Sequence, residues 1–463
     1  MDIDCMETRN NFKMPEDEIE SLEQRNKILK NKLYQSKLQY QLLRAEFEST
    51  NNDLSSVFQL KKSKFVGNFI LRIFDIYWGL KTRFVQYKRT PLSSLQFKNF
   101  KPYEIKPSPY PLITDRPKIL HAIGNFLTGG SSQLIIDLIE SLGHQFEQGV
   151  VTKYLPDPPN YIGLNISACP AMFDTILSYL KEFSPDILHI HYWGEPDWFW
   201  YHQVFQAAKE YSCRVIINVN TPVDPYLSDA INYYVYVSNY IRHEFGLSGE
   251  KEVTIYPGSD FSLFSREDNS EIPDDCIGMV YRLDRDKLNE ASIDVFIKVV
   301  QRRKQTKVLI VGGGAYFDRY RDAVHKAGVS ESFEFTGFVT YHQLPQMYKR
   351  MSLFVAPVWK ESFGQVSPFA MNMELPVVGY NIGALEEIID NDQLLAPPGD
   401  SDRLADIIIR LLDDRELRLE IGRRNSQRAK HLFSVETMIK NYQELYTMVL
   451  ANKSVFQDTL PML

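Results

Sequence analysis

The stretch from Val355 to Ile388, VAPVWKESFGQVSPFAMNMELPVVGYNIGALEEI, constrains this chain more than any other. An apolar strand ending at Ala356 runs into a loop holding one carboxylate and one glycine, Glu361 and Gly364. An apolar helix follows, and Pro376 then opens a second short strand. A strand, loop and helix in that order place the loop's free backbone N–H groups at a helix N-terminus, where an anion or sugar hydroxyls can be held. In an open α/β sheet this is also the carboxyl end of the strands, where ligands bind. Taken alone, the stretch fits an ordinary turn with a solvated glutamate equally well.

The surrounding chain repeats the same grammar. KILHAIGNFLTGG reads as a strand and a loop ending in Gly129 and Gly130, and SSQLIIDLIESLG as an amphipathic helix that Ser131 or Ser132 can cap. Apolar strands follow at Gly149 to Thr152, Ile187 to Ile190, Val215 to Val219 and Tyr234 to Val237. A second series, IGMVYRL, VLIVGGG, FEFTGFV, LFVAPV and PVVGY, starts at Cys276. Strands alternating with helices predict α/β domains with parallel, doubly wound sheets. The Pro-, Gly- and acid-rich YPGSDFSLFSREDNSEIPDD between the two series reads as the interdomain linker. Two Rossmann-like domains, 117–265 and 276–434, therefore face each other across a cleft, and a last helix over 435–451 can cross back to the first domain.

The N-terminal part differs in kind. From Ile19 as an a position, the a/d series Ile19, Leu22, Asn26, Leu29, Leu33, Ser36, Tyr40, Leu43, Phe47, Thr50, Leu54, Val57 is mostly apolar, which predicts a coiled coil over 16–60 and a homo-oligomer. A single amphipathic helix laid on the globular part is the alternative. Residues 61–89 set Phe65, Phe69, Ile73, Ile76, Leu80 and Phe84 at helical spacing between basic ends. That pattern suits either an anionic membrane interface or a helix docked on protein. The Pro-containing segment 90–116 reads as a linker.

With 52 Lys and Arg against 59 Asp and Glu, the net charge is −7, which gives no broad nucleic-acid-binding surface. Four cysteines without CxxC or Cys/His ligand spacing suggest neither a disulfide framework nor a structural zinc. The start MDIDCMETRNNF lacks the basic and apolar regions of a signal peptide, and no apolar run is long enough to span a bilayer. The expected location is cytoplasmic, peripheral on the inner face of the membrane.

Two more positions carry chemistry. DILHIHYW ends a strand with His189 and His191 on one side of it. They are either a buried pair or, in His191, a cleft-lining group, and two histidines without a third are too few for zinc. YRLDRDK places Arg282 and Lys287 around a turn after a strand, where a guanidinium and an ammonium can hold a diphosphate. VGGG at Val311 to Gly314 lacks the spacing of a dinucleotide fingerprint.

In this order the landmarks resemble the retaining GT-B glycosyltransferases of family 4, which use nucleotide sugars and include many bacterial polysaccharide enzymes. GNFLTGG resembles their glycine loop, HIHYW their H-x-H strand end, YPGSDFSLF their PNGVD segment and YRLDRDK their GRLxxxKG motif; ESFG, PVVGY and APPGD follow in family order over roughly residues 117–450. The resemblance implies His191 near the reacting carbon of the donor sugar and Arg282 and Lys287 on the departing diphosphate. It implies donor contacts from Gly129, Gly130, Glu361, Ser362, Phe363, Gly364 and Gln365, and no cofactor or divalent metal. Four positions depart from the family: Phe369 stands where a second, ribose-holding glutamate is expected, Tyr281 where a glycine precedes the arginine, Leu288 where a glycine follows the lysine, and Ala384 where a second glycine follows Gly383. An active enzyme would then meet the nucleoside at Phe369 by its ring face or edge. The function implied is transfer of a sugar to a lipid-linked or growing glycan acceptor in polysaccharide or glycoconjugate biosynthesis. The alternative is a GT-B pseudoenzyme serving as a coiled-coil scaffold.

Overall fold

The computed structural model describes residues 29, 32–48 and 103–451, apart from 128, 158 and 267–271. The chain divides into two units, 1–99 and 100–463. In the first, residues 32–48 are helical, and Leu29, Leu33, Tyr40, Leu43 and Phe47, all at a or d positions, are exposed. The rest of the expected coiled coil and the basic stretch 61–89 lie outside the described residues.

The second unit holds two large parallel sheets. The N-terminal sheet comprises β1 (Lys118–Ile123), β2 (Glu147–Thr152), β3 (Ile166–Ala168), β4 (Ile187–Tyr192), β5 (Arg214–Val219), β6 (Ile231–Tyr236) and β7 (Glu252–Thr254), in spatial order β3-β2-β1-β4-β5-β6-β7. The C-terminal sheet comprises β8 (Cys276–Val280), β9 (Lys307–Val311), β10 (Phe333–Gly337), β11 (Leu353–Ala356), β12 (Val377–Tyr380) and β13 (Leu395–Ala396), in order β10-β9-β8-β11-β12-β13. Counting from its own first strand, each sheet runs 3-2-1-4-5-6, with a seventh strand added at the end of the N-terminal one; this is the doubly wound order whose switch point lies between the first and fourth strands. Runs such as LFVA and VVGY are buried throughout, as strands covered by helices on both faces must be.

Register decides which side chains meet. His121 of β1 lies opposite His189 of β4, and His191 opposite Ile123 on one side and Asn218 of β5 on the other. The expected linker 90–116 is corrected in its last part: Tyr103–Glu104 pairs with Tyr161–Ile162, and Tyr103 and Lys106 both bond to Glu140. That segment is fastened to the N-terminal domain.

The two domains are joined by two adjacent strands of backbone. Ser259 N donates to Phe433 O (2.8 Å), and Val435 N to Ser259 O (3.2 Å). The helix Val435–Leu450 then lies on the N-terminal sheet, where Met438, Tyr442, Leu445, Tyr446 and Val449 share one core with Ile119, Leu134, Leu138, Ile187 and Ile216. Glu387 of the C-terminal domain adds a polar clasp by accepting bonds from Asn239 N, Tyr240 N and the Tyr256 hydroxyl at 2.9, 2.9 and 2.7 Å.

Candidate functional site

The carboxyl ends of β11 and β8 carry the central ion pair. Lys287 Nζ lies 2.5 Å from Glu361 Oε1, with the Glu361 side chain wholly enclosed and that of Lys287 28% exposed. Ser362 N also donates to Oε1 at 3.0 Å, whereas Oε2 is buried without a partner among the described residues. The backbone is shaped around this carboxylate. Gly364 and Gly383 have φ of +78° and +59°; a Cβ at Gly364 would stand 2.5 Å from Glu361 Oε2, and one at Gly383 2.0 Å from Glu361 O. The Tyr281 phenol is pushed well above its ordinary range, first by burial and then by the Glu361 charge.

Arg282 is exposed on the same rim and pairs with Asp286 at 2.6 Å. Arg282 and Lys287 of YRLDRDK thus stand beyond the end of β8, each balanced by a carboxylate. Across the cleft, Gly129 begins the helix Gly130–Leu142, and the space a Cβ would occupy there is open. Gly130 faces the Gln365 side chain, whose Oε1 would be 3.8 Å from a Cβ on that glycine. The glycine loop and the ESFGQ loop therefore meet. Gln365 Nε2 is held by Gly258 O at 2.8 Å.

Some expected contributions are placed differently. Neither Ser131 nor Ser132 caps the first helix; Ser132 Oγ instead donates to Leu127 O at 2.6 Å, so the helix N-terminus keeps its free N–H groups. The Phe363 ring is core, packed on Tyr256 and Phe433, which leaves its backbone for ligand contact. Phe369 is 8% exposed, stacked on Phe264 with centroids 4.0 Å apart and edge-on to Phe261 and Tyr341. Its ring is occupied by the core, so the expected ribose contact through its face or edge is not available here.

His191 is fully buried, and its pairing with His189 is joined by a third imidazole, His121, which sequence spacing missed. One ring nitrogen from each of the three lies within 4.8 Å of the other two. Burial, and secondarily the neighbouring rings, hold His189 and His191 neutral, and burial brings His121 down to about 4. His189 Nδ1 bonds to the Tyr446 hydroxyl (2.8 Å) and Nε2 to Asn218 Oδ1 (3.4 Å), so the last helix supports the cluster.

Two facing Rossmann-like domains with the ligand loops at their opposed strand ends define the GT-B fold. Residues 264–428 match the family model of the glycosyl transferases group 1. Over 188 residues the chain is 25% identical to the capsular polysaccharide biosynthesis glycosyltransferase CapM of Staphylococcus aureus, covering 38% of this chain and 46% of that protein. It is 29% identical over 140 residues to the 2-deoxystreptamine glucosyltransferase of Streptomyces kanamyceticus, covering 30% and 36% of the two chains. The chain thus spans less than half the length of these curated relatives. Among solved structures, a sucrose-phosphate synthase of Thermosynechococcus elongatus superposes with a TM-score of 0.60 at 18% identity, over 73% of this chain and 100% of that one. Anabaena Alr3699/HepE in complex with UDP gives 0.60 at 17%, over 71% and 99%. These likenesses establish the fold, and with the family match they support a group 1 glycosyl transferase.

Proposed function

We propose that the chain is a retaining glycosyltransferase that moves a sugar from a nucleotide-sugar donor to a lipid-linked or growing glycan acceptor, without a divalent metal. The observation that carries this reading is the enclosed Glu361, with one oxygen on Lys287 and the other unpartnered among the described residues, at a strand end that faces the Gly129–Gly130 loop. A departing diphosphate gains negative charge in the transition state. Lys287, Arg282 and the free N–H groups before Gln133 are cationic or donor groups already in place to receive it. The free oxygen of Glu361 suits a sugar hydroxyl. In front-face attack, the acceptor hydroxyl gives its proton to the leaving phosphate while the new bond forms on the side the phosphate leaves, and no protein carboxylate nucleophile is required. His191, at the end of β4, is assigned to the donor-sugar side of this site.

Calorimetry of the full chain with UDP-, GDP- and ADP-sugars tests the reading. We expect micromolar to millimolar binding of one donor class, reduced at least tenfold in Lys287→Ala. Heat-silent titrations with all three at millimolar donor would overturn it and favour a scaffold without a donor site. UDP is the nucleotide bound in the Anabaena relative and is the first to try.

The exposed a/d side chains on residues 32–48 support self-association through the coiled coil. Light scattering is expected to give a multimer for the full chain and a monomer after deletion of 16–60. Membrane association rests on the composition of 61–89, and flotation with anionic vesicles should be lost on their deletion. No described helix is long and apolar enough to cross a membrane.

A further inference from the structure

The hydrogen bonds around the three buried histidines can be followed proton by proton. Gln148 Nε2 donates to Leu138 O at 3.1 Å, which turns its Oε1 toward His121. That oxygen lies 2.9 Å from His121 Nε2 and only accepts, so this nitrogen carries the hydrogen. His121 is neutral, so its Nδ1 is bare. Nδ1 lies 3.2 Å from His191 Nε2, which must then be the donor. His191 is neutral as well, and its Nδ1 is left as a lone pair, buried and without a partner among the described residues.

The neighbouring ring closes independently. Asn218 Nδ2 donates to Asn220 Oδ1 (3.0 Å), so Asn218 Oδ1 faces His189 Nε2 and Tyr442 and accepts from both. His189 Nδ1 then takes the Tyr446 hydroxyl hydrogen. Five of the six ring nitrogens are satisfied in one consistent pattern, and the sixth is the acceptor on His191. An enclosed acceptor with no donor is costly to leave unmade, and such groups in folded proteins call for an explanation.

We propose that Gln148 and His121 are positioning residues that hold His191 with its hydrogen on Nε2, so that Nδ1 accepts a hydrogen bond from a sugar hydroxyl. The use made of Nδ1 rests on the glycosyl-transfer reading; the placement of the proton does not. Gln148 reaches His191 only through His121 and takes no part in the chemistry itself.

The test has a spectroscopic arm and a kinetic arm. The full chain is labelled with ¹⁵N at histidine, and the His191 signals are identified by their loss in His191→Gln. Long-range proton–nitrogen correlations should show a bare Nδ1 and a protonated Nε2 in the unsubstituted chain. His121→Asn should keep that tautomer, because the amide oxygen can take the place of Nδ1 while its NH2 group faces Gln148. His121→Leu removes the acceptor and should lose it. In parallel, UDP-glucose, UDP-N-acetylglucosamine, GDP-mannose and ADP-glucose are offered as donors. Turnover of the best of them should fall at least fivefold further in His121→Leu than in His121→Asn, with melting curves as the folding control. A hydrogen on His191 Nδ1 would overturn the proposal, as would a metal ion bound at His191 Nε2, seen as a shift of that nitrogen's signal when zinc is added. If no donor is turned over, the spectra of the unsubstituted chain still decide the tautomer, and it is the transferase reading that fails.

Discussion

Lys287→Ala is expected to lower sugar transfer by on the order of 100-fold and, separately, to lower the melting temperature by several degrees. The two effects have different origins. The kinetic loss comes from the leaving diphosphate, which loses a cation positioned before charge develops. The stability loss comes from Glu361: its side chain is wholly enclosed, and among the described residues removing Lys287 leaves Oε1 with only the Ser362 amide and Oε2 with no partner. Breaking a fully buried pair costs about 3–5 kcal/mol; because Lys287 is 28% exposed, roughly 2–4 kcal/mol is the better figure. A second substitution separates them. In Lys287→Met with Glu361→Gln no buried charge remains, so most of the lost stability should return while transfer stays low. Thermal unfolding and donor turnover measured on the same samples check this. If transfer recovered together with stability, Lys287 would be structural and the diphosphate assignment would fall.

Truncation after Ser434 is expected to leave the N-terminal domain unable to fold. The helix Val435–Leu450 buries Met438, Tyr442, Leu445, Tyr446 and Val449 on the sheet formed around β1, β4 and β5. At about 1.5–3 kcal/mol for each fully buried large side chain, their removal costs on the order of 10 kcal/mol, comparable to the whole stability of a domain. Truncation also uncovers Ile119, Leu134, Leu138, Ile187 and Ile216. Insoluble expression, or soluble protein that has lost near-UV circular dichroism, is the predicted outcome. A truncated chain with native-like near-UV signal would show that the helix is only a cover.

The alternating layers were legible because the strands of a doubly wound sheet are apolar on both faces; VLIV, LFVA and PVVGY announce themselves. β3, the three residues ISA, did not, because it is short and only half-buried. The ligand loops were legible through Gly129, Gly130, Glu361 and Gly364, whose residue types are demanded by backbone approach and charge. What stayed hidden depends on partners distant in sequence. His121 joins His189 only through the register of β1 on β4, and no spacing rule reports a parallel pairing. Phe369 looked like a substituted ribose contact; its real neighbour is Phe264, carried in by the interdomain crossing. Gln148 is a half-buried residue at a strand start, and only the amide bond to Leu138 O gives it direction.

The return of the chain at Ser259 and Ser434 also sets an order of assembly. A ribosome makes β1 to β7 long before Val435–Leu450, so the first domain emerges with one sheet face covered only in part, by the helix Gly130–Leu142, and must wait for the last helix. The second domain, whose large core draws almost entirely on residues between Phe264 and Phe433, has its parts available earlier. Synthesis runs from the amino end, while completion of the cores runs the other way. The half-finished first domain is then the aggregation-prone species, and the one on which a chaperone would act.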